Sequence, residues 1–419
     1  PVQTTDERRE AAKAADSEAA PEAAEASGMQ FAYGPHVSSL IASRWKPMNY
    51  SEERIRWADA AAENLRLGFA ENSITVREIK HVPTPNGCLV IFQGAANLGQ
   101  KVVANLSEIL LMTRGLELGF TEAAKGEFRI FIKSEERETV PLWNLWHDRM
   151  ASRNADGTNT SLCIALKELD GGILYLDPNS MYNDPHTLVA GGTGSGKSVL
   201  MKSLLLDIAV TNRPDQTRIR IIDPKKGVDY GVLRQLPHID GPIVDEPEDA
   251  IAVFAEVTAE MERRYKLFAE SEAENLIDYN TMHPESMLPV IWLFHDELAN
   301  MVVTDKSYLD EVSGYMKSLA TKARAAGIYL VFITQRPDKD VMPMQVRDNL
   351  GNRLALKLPT EASSKIALGV SGAEFLAGHG HLAAKIGNHV VYAQCPFLSK
   401  EEIAEVVTAV RRDAGLGPA

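Results

Sequence analysis

A chain of 419 residues with 45% apolar and 24% charged side chains has room for two or three domains and the composition of an ordinary globular protein. No apolar run approaches the ~18–20 residues needed to cross a bilayer, and the N-terminus lacks the short apolar core of a secretory signal. A net charge of −13 argues against a simple basic nucleic-acid-binding module, and Cys88, Cys163 and Cys395 are spaced for neither a metal site nor a disulfide framework.

Residues 1–28 are rich in Ala and Glu with almost no large apolar side chains, so they cannot bury enough surface to offset their ordering entropy and read as a disordered acidic tail. Residues 29–150 read as a small α+β domain with an N-terminal helical segment. Its helix spans Tyr50–Leu67, where Ile55, Trp57, Ala58, Ala61 and Leu65 fall near helical spacing. Strands at Ser73–His81 and Cys88–Gln93 flank a turn at Pro83–Gly87, followed by a helix near Leu98–Arg114 and a strand at Phe128–Lys133. Ala151–Thr160 reads as a linker, and a strand at Ser161–Leu166 leads into a second domain over residues 160–400.

From Thr187 the pattern alternates strand and helix, which marks an α/β domain with a mostly parallel central sheet. The strands are Thr187–Ala190, Arg218–Ile222, Val290–Phe294, Gly327–Thr334, Arg353–Leu358 and Val390–Gln394; helices include Ser198–Val210, Pro247–Ser271 and Tyr308–Ala325. Residues 401–419 form a C-terminal helix or tail.

His186–Ser198 contains G-x-x-x-x-G-K-S after an apolar strand and before a helix, the context of a P-loop. Gly191, Gly192, Gly194 and Gly196 allow successive backbone N–H groups to turn inward onto phosphate oxygens, with Thr193, Ser195 and Val199 completing the cradle. Lys197 reaches the β/γ-phosphates of ATP, and the Ser198 hydroxyl is a ligand for Mg²⁺.

The apolar run Val290–Phe294 ends in His295-Asp296-Glu297. At the carboxyl end of a strand in such a sheet, Asp296 is placed to hold Mg²⁺ and Glu297 to orient and deprotonate a water. His295 reads as a packed side chain. Asp223, ending another strand, is either an acid near the metal or a strand-ending turn. Gln335 follows the strand Gly327–Thr334 and is either a γ-phosphate sensor or a loop-starting amide. Between Lys317 and Lys365 nine basic residues face four acidic ones, a local excess that fits either a DNA-facing surface or a solvated face.

Beyond the loop, the sequence resembles the FtsK/SpoIIIE family of DNA translocases. The resemblance runs through Ile222-Asp-Pro-Lys225, Leu236-Pro-His-Ile239, Glu260-Met-Glu-Arg-Arg-Tyr265, Asp296-Glu297, Lys322-Ala-Arg-Ala-Ala-Gly-Ile328, Thr334-Gln-Arg-Pro337 and Gly378-His-Gly380, in order over roughly Leu162–Phe397. It implies a RecA-like P-loop motor preceded by a smaller α+β domain, assembled as a hexameric ring around double-stranded DNA, with ATP hydrolysed between subunits in a bacterial cytoplasm. An arginine from the neighbouring subunit would complete each site; Arg324 matches by position, with Arg336 and Arg353 as competitors. Where the family usually reads Gly-His-Gly-Asp, this chain has Gly378-His-Gly-His381. Residues 399–419 leave no room within this chain for the family's C-terminal winged helix, and Pro1 leaves a membrane anchor or partner outside the chain open. A protein-secretion or plasmid-transfer motor is the alternative, although such secretion ATPases typically carry several motor domains in tandem. A metabolic kinase lacks support because no small-substrate lid is evident.

Overall fold

The computed structural model describes residues 32–417 except 95–96, 106–107, 110–117, 125, 151, 181–183, 336–341 and 388. The expected tail at 1–28 lies outside the described residues.

A four-stranded antiparallel sheet, in the order β1-β2-β4-β3, is built from β1 (Val76–Thr84), β2 (Gly87–Gly94), β3 (Leu118–Ala124) and β4 (Glu127–Lys133). Along β4, Phe128, Ile130 and Ile132 alternate inward and meet Ala58, Ala61, Leu65 and Phe69 of the helix Glu52–Glu71. Ser51 caps that helix by accepting from Arg54 N–H. The hairpin between β1 and β2 is tighter than its sequence suggests. An edge strand tolerates proline, so Pro83 stays in the ladder opposite Cys88 and the turn contracts to Pro85–Asn86.

The second sheet has nine strands, ordered β6-β5-β13-β12-β11-β7-β10-β9-β8. Its parallel half comprises β11 (Asn352–Leu356), β7 (Thr187–Ala190), β10 (Ile328–Thr334), β9 (Val290–Asp296) and β8 (Thr217–Ile222). All seven residues of both β9 and β10 are buried, as helices on both faces require. Trp292 and Phe294 face the helix Lys197–Thr211, while Ile291 and Leu293 face the helices Pro247–Ser271 and Tyr308–Lys322. The other half is antiparallel: β12 (His381–Ile386), β13 (His389–Gln394), β5 (Leu162–Lys167) and β6 (Ile173–Leu176). The architecture is thus α/β, a large mixed sheet whose parallel half is covered on both faces by helices, preceded by a smaller α+β unit.

Packing divides the stretch 29–150. Val37 and Ile41 of the helix Pro35–Arg44, with Leu142, Trp143 and Trp146, join the core of the larger sheet. Asp413 of the C-terminal helix Lys400–Asp413 accepts from the backbone N–H of His36 and Val37 (2.9 and 3.0 Å), and Arg44 meets Glu405 at 2.5 Å. These partners are far apart in sequence, so neither helix announces the other.

Under the same core lies a fully buried ion pair, Arg149 Nη1 to Asp207 Oδ1 at 2.7 Å. Asp207 also accepts from Trp146 Nε1 (2.7 Å) and Cys163 N–H (2.9 Å). Removing one partner strands a charge in a low-dielectric interior. Asp207→Ala should therefore lower unfolding stability by about 3–5 kcal/mol in urea denaturation, whereas an exposed pair such as Arg213–Asp215 should matter by less than about 1 kcal/mol.

Candidate nucleotide site

The strand β7 ends at Ala190, and the chain turns through Gly191–Gly196 into the helix beginning at Lys197. Gly194 and Gly196 adopt φ of 73° and 110°, a region that excludes most side chains. A Cβ on Gly196 would also stand 2.6 Å from Gly380 N. The loop is fixed at three points: Gly191 N–H donates to Thr334 O (3.3 Å), Gly192 N–H to Lys357 O (2.8 Å), and Ser195 O accepts from Gly380 N–H (2.7 Å). Lys197 Nζ donates to Gly191 O and Gly192 O, Thr193 Oγ1 donates to Gln335 Oε1 (3.3 Å), and Ser198 Oγ donates to Asp229 Oδ2 (3.4 Å).

The carboxyl ends of β9 and β10 bring the predicted acids and amide to this loop. Asp296 is buried, and burial pushes its carboxyl up to about 6; Lys225 opposes the shift, while Asp223, Glu297 and Asp229 add to it. Burial also pulls the Lys197 amine down, offset by Glu297 and Asp296. Glu297 is 1% exposed and left-handed, with φ 46° and ψ 60°. Such a conformation costs a non-glycine residue on the order of 1–3 kcal/mol and clusters at functional sites. It is held by Glu297 N–H donating to Ile333 O (2.7 Å) and by Oε1 accepting from Gln335 N–H (3.3 Å). Its other oxygen, Oε2, is buried with no hydrogen-bond partner among the described residues. A buried carboxylate oxygen without a donor is the place for a water.

Asp223 resolves into a turn: its two oxygens accept from Lys225 N–H (3.0 Å) and Gly227 N–H (2.8 Å). That turn presents Lys225, which pairs with Asp229 at 3.6 Å. The sequence assigned neither Lys225 nor Asp229 a role, because nothing in their spacing marks them. His295 is packed, with Nε2 2.9 Å from Tyr308 Oη.

A cavity of about 540 Å³ runs along the loop, lined on one side by Lys197, Asp296 and Gln335 and on the other by Asn86, Arg137 and Phe397. Among the described residues no cluster of three or more His, Cys, Asp or Glu side chains is built for a metal. Ser198 and Asp296 nonetheless supply hard oxygen donors, which suit a Mg²⁺ held largely by phosphates and water.

Arg324 lies elsewhere. It is exposed just before β10, at the end of the parallel strands opposite the loop, and Nη2 donates to Ser180 O (2.8 Å). Arg353, at the start of β11, donates to Ile366 O and Arg347 O, and Arg336 lies outside the described residues. The basic stretch is partly neutralised: Lys322 lies 3.8 Å from Glu262, and Lys365 2.6 Å from Glu361. Lys339 lies outside the described residues. No described helix is long and apolar enough to cross a membrane.

Residues 147–339 match the model of the FtsK/SpoIIIE family. The DNA translocase FtsK of Campylobacter jejuni is 33% identical over 325 residues, covering 75% of this chain and 33% of that protein. That of Lactiplantibacillus plantarum is 34% identical over 330 residues, covering 75% and 40%. The chain thus spans a third to two fifths of the length of these relatives. Among solved structures, the conjugation coupling protein TcpA of pCW3, in a monomer form with ATPγS, superposes with a TM-score of 0.58 at 22% identity, covering 82% of this chain and 97% of that one. The cytoplasmic domain of the Thermomonospora curvata type VII secretion ATPase EccC gives 0.55 at 24%, covering 64% and 32%. At these identities the likeness is one of fold.

The raised Asp296 pKa has a sign that stability measurements can read. Its folded value of about 6 exceeds the ordinary 3.8, so this group's contribution is full below about pH 4 and is lost as pH rises through 6. Asp296→Asn removes that loss. Without nucleotide or Mg²⁺, the variant should be more stable than the parent by roughly 2–3 kcal/mol at pH 8, with the gap closing toward pH 4. A gap equal at both pH values in urea titrations would contradict the assignment.

Proposed function

The chain belongs to the FtsK/SpoIIIE family, and on that premise we propose that it is an ATP-driven motor that moves double-stranded DNA through a ring of identical subunits, most simply a hexamer. The observation that carries the hydrolytic part is the meeting of Glu297 with the phosphate loop. A strained, buried carboxylate keeps one oxygen fixed by Gln335 N–H and the other without a donor, beside the Gly191–Ser198 cradle.

In this reading the N–H groups of the loop and the Lys197 amine bind the phosphates, with Val199 lining the same cavity. Ser198 and Asp296 would hold Mg²⁺, which when bound would neutralise charge on the phosphates. Glu297 Oε2 takes the proton of the attacking water, and Gln335, tied to Thr193, reports the γ-phosphate to the end of β10. Arg324 acts on the site of the adjacent subunit, since it sits at the end of β10 away from its own phosphate loop. The relatives named as DNA translocases support DNA as the cargo. The secretion and conjugation ATPases share the fold and keep a protein-transport or plasmid-transfer motor as the competing reading.

Long duplex DNA should raise the ATPase rate several-fold, with an effect that falls steeply between about 50 and 200 mM salt, as phosphate contacts require. Glu297→Gln should retain ATP binding and lose about a hundredfold or more in turnover. DNA-independent turnover would favour the secretion reading.

Arg324→Ala should spare nucleotide binding in each subunit while abolishing hydrolysis by the assembly. Mixing it with Lys197→Ala should restore part of the activity, because some interfaces then join an intact loop to an intact arginine. A mixture as inactive as its components would remove Arg324 from the site.

A further inference from the structure

The far wall of the nucleotide cavity comes from the smaller unit, through Arg137 and Asn86. Arg137 Nη1 donates to Gly378 O at 3.2 Å, and its other N–H groups have neither a hydrogen-bond nor an ion-pair partner among the described residues. The Arg137 side chain is exposed at the cavity rim, and partial desolvation there lowers its pKa. The adjacent acid, Glu138, also lines this cavity but is engaged elsewhere: it accepts from Ser51 N–H and Oγ (3.3 and 3.1 Å) and lies 3.9 Å from Arg54 Nε, with no ion pair to Arg137. Arg137 is thus an exposed guanidinium without an ion-pair partner among the described residues, at the rim of a cavity that contains a phosphate loop, and its free N–H groups are available to an anion bound there.

The segment bearing Arg137 is fixed firmly. Ser134 N–H donates to Asn86 O and Glu138 N–H to Pro85 O, both at 2.9 Å, stitching it to the β1–β2 hairpin tip. Asn86 Nδ2 in turn donates to Glu168 Oε1 (3.0 Å) and Gln394 Oε1 (2.7 Å), both buried side chains of the large sheet. His381 Nε2 lies 3.2 Å from the same Glu168 oxygen, and Gln394 Nε2 donates to His379 O and Cys395 O. The strap Gly378–Gly380, which Arg137 grips at one end, holds the phosphate loop at the other through Gly380 N–H and Ser195 O.

We propose that Arg137 is a second cationic contact of the bound nucleotide, donating to its phosphates from the smaller unit in the same subunit. The proposal rests on the nucleotide reading of the Gly191–Ser198 loop. It makes the smaller unit part of the binding site, so that nucleotide occupancy and the docking of the Pro85–Asn86 hairpin stabilise each other.

The test is calorimetric titration of the whole chain with Mg-ADP, and separately competition by inorganic tripolyphosphate, for the parent, Arg137→Ala and Arg137→Lys. Arg137→Ala should weaken both ligands about tenfold, as loss of a charge-assisted hydrogen bond does. Arg137→Lys should recover part of that loss, and the ligand-free melting temperatures should agree within about 2 °C. A change of less than threefold in ADP affinity overturns the proposal. So does a loss for ADP that tripolyphosphate does not share, which would place Arg137 on the ribose or base, and so does an equal loss in the lysine variant. Lys197→Ala separates the two levels of the argument. If the parent binds ADP no better than Lys197→Ala, the nucleotide reading itself falls, whereas tight parental binding with unchanged Arg137→Ala removes only this inference.

Discussion

Everything at this site depends on how a loop with almost no side chains is held still. Glycine lets Gly191–Gly196 turn its N–H groups inward, but it also makes the loop the most expensive stretch to order. The fold answers with main-chain bonds from three different neighbours: β10 through Thr334, the end of β11 through Lys357, and the Gly378–Gly380 strap through Ser195. Each brace comes from a different crossover of the sheet, so the loop is rigid only when the whole α/β domain is assembled. The 2.6 Å clearance between a would-be Cβ at Gly196 and Gly380 N shows how close the strap comes. Preorganised donors of this kind need no rearrangement when charge arrives.

The same three-way junction explains the electrostatics. Four carboxylates, Asp223, Asp229, Asp296 and Glu297, converge with two lysines, Lys197 and Lys225. Asp223 is occupied by its own turn, Asp229 is shared between Ser198 and Lys225, and Asp296 carries the burial penalty. Without a cation in their midst, burial and mutual repulsion lift Asp296; a divalent ion would reverse that balance. Destabilisation concentrated at one carboxylate, and backbone strain at the adjacent Glu297, mark this corner as a functional-site candidate.

How much of this was legible in the sequence follows from how each feature is encoded. Gly191–Ser198 and Asp296-Glu297 are contiguous runs whose context, strand then turn, is itself readable from hydrophobic patterning, so both were found. The parallel strands were legible for the same reason: burial on both faces writes long apolar runs such as Val290–Phe294. In the antiparallel half β5 and β13 were legible as Ser161–Leu166 and Val390–Gln394, but β6, four residues long, and β12, which carries His381 and Lys385, were not. The Asn86–Glu168–Gln394 cluster joins residues 82 and 308 positions apart through one side chain, and no local pattern carries such a link. The basic stretch Lys317–Lys365 shows the converse. Neighbours in sequence there are spread over opposite ends of strands and partly paired with acids, so a local charge sum overstated a surface.

The placement of Arg324 draws these threads into a geometric argument. β10 is seven residues long, and at ~3.3 Å per residue its two ends lie on the order of 20 Å apart. Gln335 and the phosphate loop stand at one end, Arg324 just before the other. An arginine side chain spans well under half of that, so in a rigid domain it cannot serve its own loop. A contact between the loop edge of one copy and the Arg324 edge of the next is heterologous: each copy uses two different surfaces, and repetition closes into a ring or runs on as a filament. Tyr329, buried next to Ile328 with Oη bonded to Asn179, and Arg324 bonded to Ser180 fix the Asn179–Ser180 segment to this edge. That end of the strand is therefore as firmly built as the loop, and β10 links the two with seven buried residues.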